Sequence, residues 1–71
     1  MVLEEVAMLR RIYEINATLE NYYIQSNSVR LAYFKVIDGA SIALTDGRLN
    51  ASDFDFVRNV ADIWVQMKGG F

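Results

Sequence analysis

Met8, Ile12, Ile15, Leu19 and Tyr22 recur at spacings of four, three, four and three residues, which holds them on one side of an α-helix. Phe56, Val60, Ile63 and Met67 repeat the pattern near the other end of the chain, with Val57, Ala61 and Trp64 beside them. A strand alternates faces at every residue and cannot keep either series together. Two long amphipathic helices are therefore the frame. Val2, Val6, Leu9 and Tyr13 add a second stripe at the start of the first helix, so its first half can face two neighbours and its second half one.

The helix ends are also written in the residues. Glu4 and Glu5 lie at the positive end of the first helix dipole. Arg10 and Glu14 are spaced for an i,i+4 pair. Gln25-Ser26-Asn27-Ser28 is a polar break that offers a capping Ser or Asn to the next helix. Tyr22 and Tyr23, just before it, suit either the edge of an interface or the end of a core. A second junction follows at Asp46-Gly47, a pair that tolerates positive φ, with Asn50 or Ser52 placed to cap the third helix. Asp53 and Asp55 then suit its first turn and Lys68 its last, while Arg58 and Asp62 are spaced to pair. Gly69-Gly70 stops that helix and leaves Phe71 either frayed or inserted in a partner's groove.

Between the two junctions, Val29, Tyr33, Val36, Ile37, Ala40, Ala43 and Leu44 form one broad helical face. Lys35, Asp38, Ser41 and Thr45 form a narrow polar strip that keeps its period straight through Gly39. A glycine inside a helix costs about 1 kcal/mol relative to Ala, and close approach of a neighbouring helix at Gly39 and Ala40 is the expected compensation. The expected fold is all-α: a small three-helix bundle, helix–loop–helix–loop–helix, with helices over 2–25, 28–45 and 51–68 in a single helical domain, 1–71. The alternative is an α+β arrangement with a hairpin around Asp38-Gly39, a recognised turn pair.

A chain of 71 residues buries only about 60 % of its unfolded surface on folding. Domains of this size usually gain stability from disulfides, a metal or a partner. The sequence has neither Cys nor His, which removes disulfides and the common zinc sites and, with them, the usual catalytic nucleophiles and bases. No enzyme and no cofactor are expected. Yet 54 % of the residues are hydrophobic, above the usual share of about 45–50 %. That surplus points to a protein interface.

Thr45 to Phe54 resembles the second half of an EF-hand loop, with Gly47 at the sharp turn, Leu49 two places on and Asp53 at the final position. Aligned on Gly47, Ile42 and Leu44 occupy the leading ligand positions, where carboxylates are required. The resemblance implies the turn without the metal. Seven basic residues against nine acidic ones, with only Arg10-Arg11 adjacent, do not make a phosphate-binding surface. In the third helix Arg58, Asn59 and Gln66 are outweighed by Asp53, Asp55 and Asp62, so a DNA-binding regulator is the least favoured reading. No run is long and apolar enough to span a membrane, and Glu4-Glu5 stand where a secretory leader would carry basic residues. A cytoplasmic place is expected, in a host cell or a virion.

The function read from these features is non-enzymatic protein–protein interaction, by self-assembly into a homo-oligomer or docking on a partner. Its interface residues are Met8, Ile12, Ile15, Leu19, Tyr22, Phe56, Val60, Ile63, Trp64 and Met67. Size and acidic composition are those of a phage or mobile-element accessory or virion protein. The alternative is an oligomeric protein that binds or sequesters a small anionic ligand or nucleotide through Tyr13, Tyr23, Arg30 and Lys35, where aromatic and basic residues cluster around the first break.

Overall fold

The computed structural model describes residues 2–71, with side chains from Glu4 onward, so Val2 of the second stripe lies outside the described side chains. Three helices follow in order: α1 (Val2–Ser26), α2 (Val29–Thr45) and α3 (Ala51–Met67). They form a small all-α bundle in which each helix packs on both others. No strand occurs among the described residues, and α2 runs unbroken through Asp38-Gly39. The hairpin alternative falls because the polar strip follows the helical period across Gly39.

The caps fix the boundaries. Asn27 ends α1 with φ at 54°, a left-handed residue whose N–H donates to the Tyr23 carbonyl at 2.7 Å. Ser28 caps α2, its hydroxyl accepting from the Leu31 N–H at 3.2 Å. Gly47, with φ at 78°, turns the chain after α2. The Asn50 side chain then accepts from the Asp53 N–H at 2.8 Å and starts α3. Only two residues, 27 and 28, separate the first pair of helices and five, 46–50, the second.

At the centre lie Leu19, Ala32, Ala61, Trp64 and Val65. Leu19 is the one large side chain with no exposed surface at all. Ala32 and Ala61 are equally buried, and small residues at those points let α2 and α3 draw in toward α1. Ile15, Tyr22, Val36 and Ile37 pack around this nucleus.

Gly39 departs from expectation. A Cβ at that position would meet nothing within 4 Å, so no neighbouring helix presses against it and its helix-propensity cost stands uncompensated. Gly39→Ala is expected to stabilise the bundle by about 1 kcal/mol, raising the midpoint of a thermal melt followed by circular dichroism by about 4–8 °C. An unchanged or lower midpoint would show that position 39 answers to something other than helix propensity.

A second difference is the end of the chain. Gly69 and Gly70 have φ at 94° and 86°, and the Gly70 N–H donates to the Val65 carbonyl at 2.9 Å. This reversal does not leave Phe71 frayed, although the residue stays 63 % exposed. Instead the Phe71 ring stacks on Phe34, centroids 6.1 Å apart, and meets Tyr33 edge-on at 5.3 Å.

The bundle is uneven in length. At 1.5 Å per residue α1, with 25 residues, is about 37 Å long, whereas α2 and α3, with 17 each, are about 25 Å. Arg11 bonds Asp53 at the start of α3 and Glu20 bonds Lys68 just past its end. The first two turns of α1 therefore project past the other helices, and residues 4–11 are all exposed. The radius of gyration is 12.4 Å, where a compact chain of this length would have about 11 Å.

Candidate functional site

Both seams are divided between the interior and the surface. Leu19 of the first and Val60 of the second are buried, as is Trp64 beside it. Ile15 and Tyr22 pack against the core, and Ile12 and Phe56 are half-buried. Leu19, Val60 and Trp64 are thus closed by the chain's own helices and are not open to a partner. The reason is geometric: two antiparallel turns bring α2 and α3 onto the same stripe of α1. Met8, Ile63 and Met67 remain outside, with Met8 53 % and Met67 78 % exposed.

These three have company. Val6, Leu9 and Tyr13 are exposed on α1, Leu31, Phe34 and Ile42 on α2. The total accessible surface is 5194 Å². A folded monomer of 8.1 kDa exposes about 4,500 Å², so the excess is about 700 Å². Scattered single apolar residues on a surface are ordinary. Ile24 near the end of α1 and Phe71 at the end of the chain are exposed as well, so the bare apolar side chains are spread over all three helices.

The polar features sit at the ends of the bundle. The Glu20 carboxylate accepts from the Trp64 indole N–H at 2.9 Å and from the Lys68 ammonium at 2.8 Å, both on Oε2. These two bonds, Lys68 first, hold its pKa below the usual value of 4.5. At the other end Arg11 donates to Asp53 at 3.0 Å while its guanidinium lies 4.4 Å from the centroid of Phe56. The expected i,i+4 pairs of Arg10 with Glu14 and Arg58 with Asp62 are not among the ion pairs of the described residues. Asp62 turns instead to α2, where the Tyr33 hydroxyl donates to it at 2.6 Å.

Burial first, and then that bond, push the Tyr33 hydroxyl up to about 12 from 10.0. The folded value is raised, so the Tyr33 contribution is fully present below pH 10 and is lost as pH rises through about 12. In an absorbance titration, the difference between wild type and Tyr33→Phe is expected to centre near pH 12. A difference centred at pH 10 would mean the hydroxyl is free.

The residues expected to gather around an anionic ligand each have contacts of their own within the chain. Tyr13 is 72 % exposed on α1. Tyr23 meets Trp64 edge-on at 6.0 Å, with Lys68 4.9 Å above its ring. Arg30 lies over Phe71 at 5.6 Å, and Lys35 over Tyr22 at 5.9 Å. Each cation covers a different ring.

An open cleft of about 330 Å³ does occur elsewhere, lined by Arg11, Glu14, Ile15, Thr18, Val36, Leu49 and Val57. Its floor is aliphatic. The Thr18 hydroxyl is spent on the Glu14 carbonyl at 2.9 Å and Arg11 on Asp53, so few free polar groups converge in it to orient a ligand. Sequence periodicity gave no sign of this cleft, because it depends on where Leu49 of the second loop falls. Among the described residues no group of three or more acidic side chains is placed to hold a metal, and no helix is long and apolar enough to cross a membrane.

The chain matches no protein-family model, no curated protein and no solved structure.

Proposed function

We propose that this chain is a non-enzymatic helical protein that works by protein–protein association, covering apolar surface that its own fold leaves bare. The observation that supports this reading is the set of large apolar side chains the fold leaves exposed, Met8, Leu9 and Tyr13 on α1, Leu31 and Ile42 on α2 and Ile63 and Met67 on α3. An accessory or virion protein of a phage or other mobile element, acting in the cytoplasm, is consistent with such a role.

Sedimentation and light scattering from nanomolar to high micromolar concentration test the reading. The expected mass is a multiple of 8.1 kDa, reduced toward the monomer by Leu9→Lys with helicity unchanged. A folded monomer at every concentration would overturn self-assembly. If that monomer also bound no protein through the exposed end of α1, association as a whole would fail.

A further inference from the structure

We infer that Asp46-Gly47 is a site of spontaneous covalent modification, where the Asp46 side chain closes on the Gly47 backbone nitrogen and reopens as isoaspartate. The identical pair Asp38-Gly39 is protected by its helix.

The chemistry needs only the two residues and water. The Gly47 nitrogen attacks Cγ of the Asp46 carboxyl in its neutral form: an N–Cγ bond forms, a C–O bond breaks, and the hydroxyl leaves with the nitrogen's proton as one water. The product is a five-membered succinimide, and water then adds to one of its two carbonyls. Breaking the N–Cγ bond restores aspartate. Breaking the bond from the nitrogen to the backbone carbonyl carbon instead leaves the main chain running through Cγ, with the former backbone carbonyl as a free carboxylate. One water is lost and one regained, and no oxidant or reductant takes part. Glycine after the aspartate favours closure, because no Cβ obstructs the approach of its nitrogen.

The chain carries this pair twice, and access does not distinguish the two. All four residues are exposed, and a Cβ at either glycine would meet nothing within 4 Å. What differs is the cost of the backbone rotation that brings the nitrogen onto Cγ. Asp46, the C-cap of α2, has ψ at −3°, so closure requires a large rotation about that bond. The hydrogen bonds it strains lie at the helix end and in the loop: the Gly47 N–H on the Leu44 carbonyl, at a long 3.2 Å, and the Arg48 N–H on the Ala43 carbonyl, at 2.9 Å. The same rotation at Asp38 unwinds the middle of the 17-residue α2, beside Val36 and Ile37, which pack against the core. Helix ends and loops open at little cost, whereas packed helix centres open at a cost near that of global unfolding. The side-chain tie on Asp46 is its bond from Arg48 at 3.1 Å, and both side chains are more than half exposed. Such a pair holds little.

Isoaspartate at position 46 lengthens the turn between α2 and α3 by one backbone atom. It displaces the N–H groups of Gly47, Arg48 and Leu49 from the Leu44 and Ala43 carbonyls that now accept from them.

The test follows isoaspartate in the folded protein held for weeks at physiological temperature and pH. Trypsin, cutting after Lys35 and Arg48, releases residues 36–48 as one peptide bearing both pairs, and electron-transfer fragmentation places the modification at one or the other. The synthetic peptide 36–48, too short to hold a stable helix alone, supplies the reference and should convert at both pairs at similar rates. In the folded protein Asp46 is expected to convert roughly tenfold or more faster than Asp38, because only Asp38 waits on the opening of α2. Asp46→Glu, whose ring would be six-membered and closes far more slowly, should stop the rise in total isoaspartate, read independently by an isoaspartate methyltransferase. Equal rates at the two pairs in the folded protein would overturn the inference. So would an Asp46 that stays unchanged while the peptide converts, or an Asp46→Glu protein whose isoaspartate rises as in the wild type.

Discussion

Trp64→Ala is expected to leave the chain largely unfolded at 25 °C. The indole is only 3 % exposed, meets Tyr23 edge-on, carries Lys68 above its ring at 5.6 Å and donates to Glu20. Truncation of a buried Trp costs about 3–5 kcal/mol through lost burial and the cavity left behind. A 71-residue domain has about 4–10 kcal/mol in total, and one this small sits toward the lower end. The loss consumes most of it. Far-UV circular dichroism checks the result, since the variant removes the only tryptophan. Trp64→Phe keeps most of the ring and should fold with a lower midpoint. A Trp64→Ala chain that melts within a few degrees of wild type would mean that the core is organised elsewhere.

Leu19→Ala should cost nearly as much, about 2–5 kcal/mol. The contacts of Leu19 explain why it cannot be replaced by relaxation. Its neighbours in the core include Ala32 and Ala61, whose methyl groups cannot extend to fill the space. A void therefore persists, and a denaturant titration should show a lower midpoint with the slope unchanged. Leu19→Met, which nearly conserves volume, should lose less than about 1.5 kcal/mol. The same truncation at Met8, on the same seam but 53 % exposed, should leave the stability of an isolated monomer almost untouched. A small effect at Leu19, or a large one at Met8 at concentrations where the chain is monomeric, would contradict the division of the seam.

That division marks the limit of what the residues alone disclose. Helix positions are local properties: a period of about 3.6 and a capping Ser or Asn are read directly, and so Val29, Asn50 and Gly47 fall where expected. Which part of a seam is covered by the chain itself depends on helix lengths and crossing, and a stripe of identical chemistry, such as Met8 to Tyr22, gives no hint of the change halfway. Alanines are equally silent. Ala32 and Ala61 are central because neighbouring helices converge on them, while Ala51 on α3 is exposed. The polar pairs differ from expectation for the same reason. Arg58 and Asp62 are neighbours along a helix, but a Tyr33 hydroxyl reaching across from α2 reached Asp62 at 2.6 Å. Of the residues drawn together as an anionic site, Arg30 lies over Phe71 and Lys35 over Tyr22, ring partners that spacing along the chain does not reveal.

The linkers have a kinetic meaning. With two residues between the first helices and five between the next pair, each helix finds its neighbour by closing a short loop, and only the meeting of α1 with α3 asks for a longer one. Chains whose contacts are mostly local fold on the order of microseconds to milliseconds. A newly made copy would complete its own bundle before it met another at micromolar concentration, so the bare end of α1 would be offered to partners by folded molecules and not by half-formed ones.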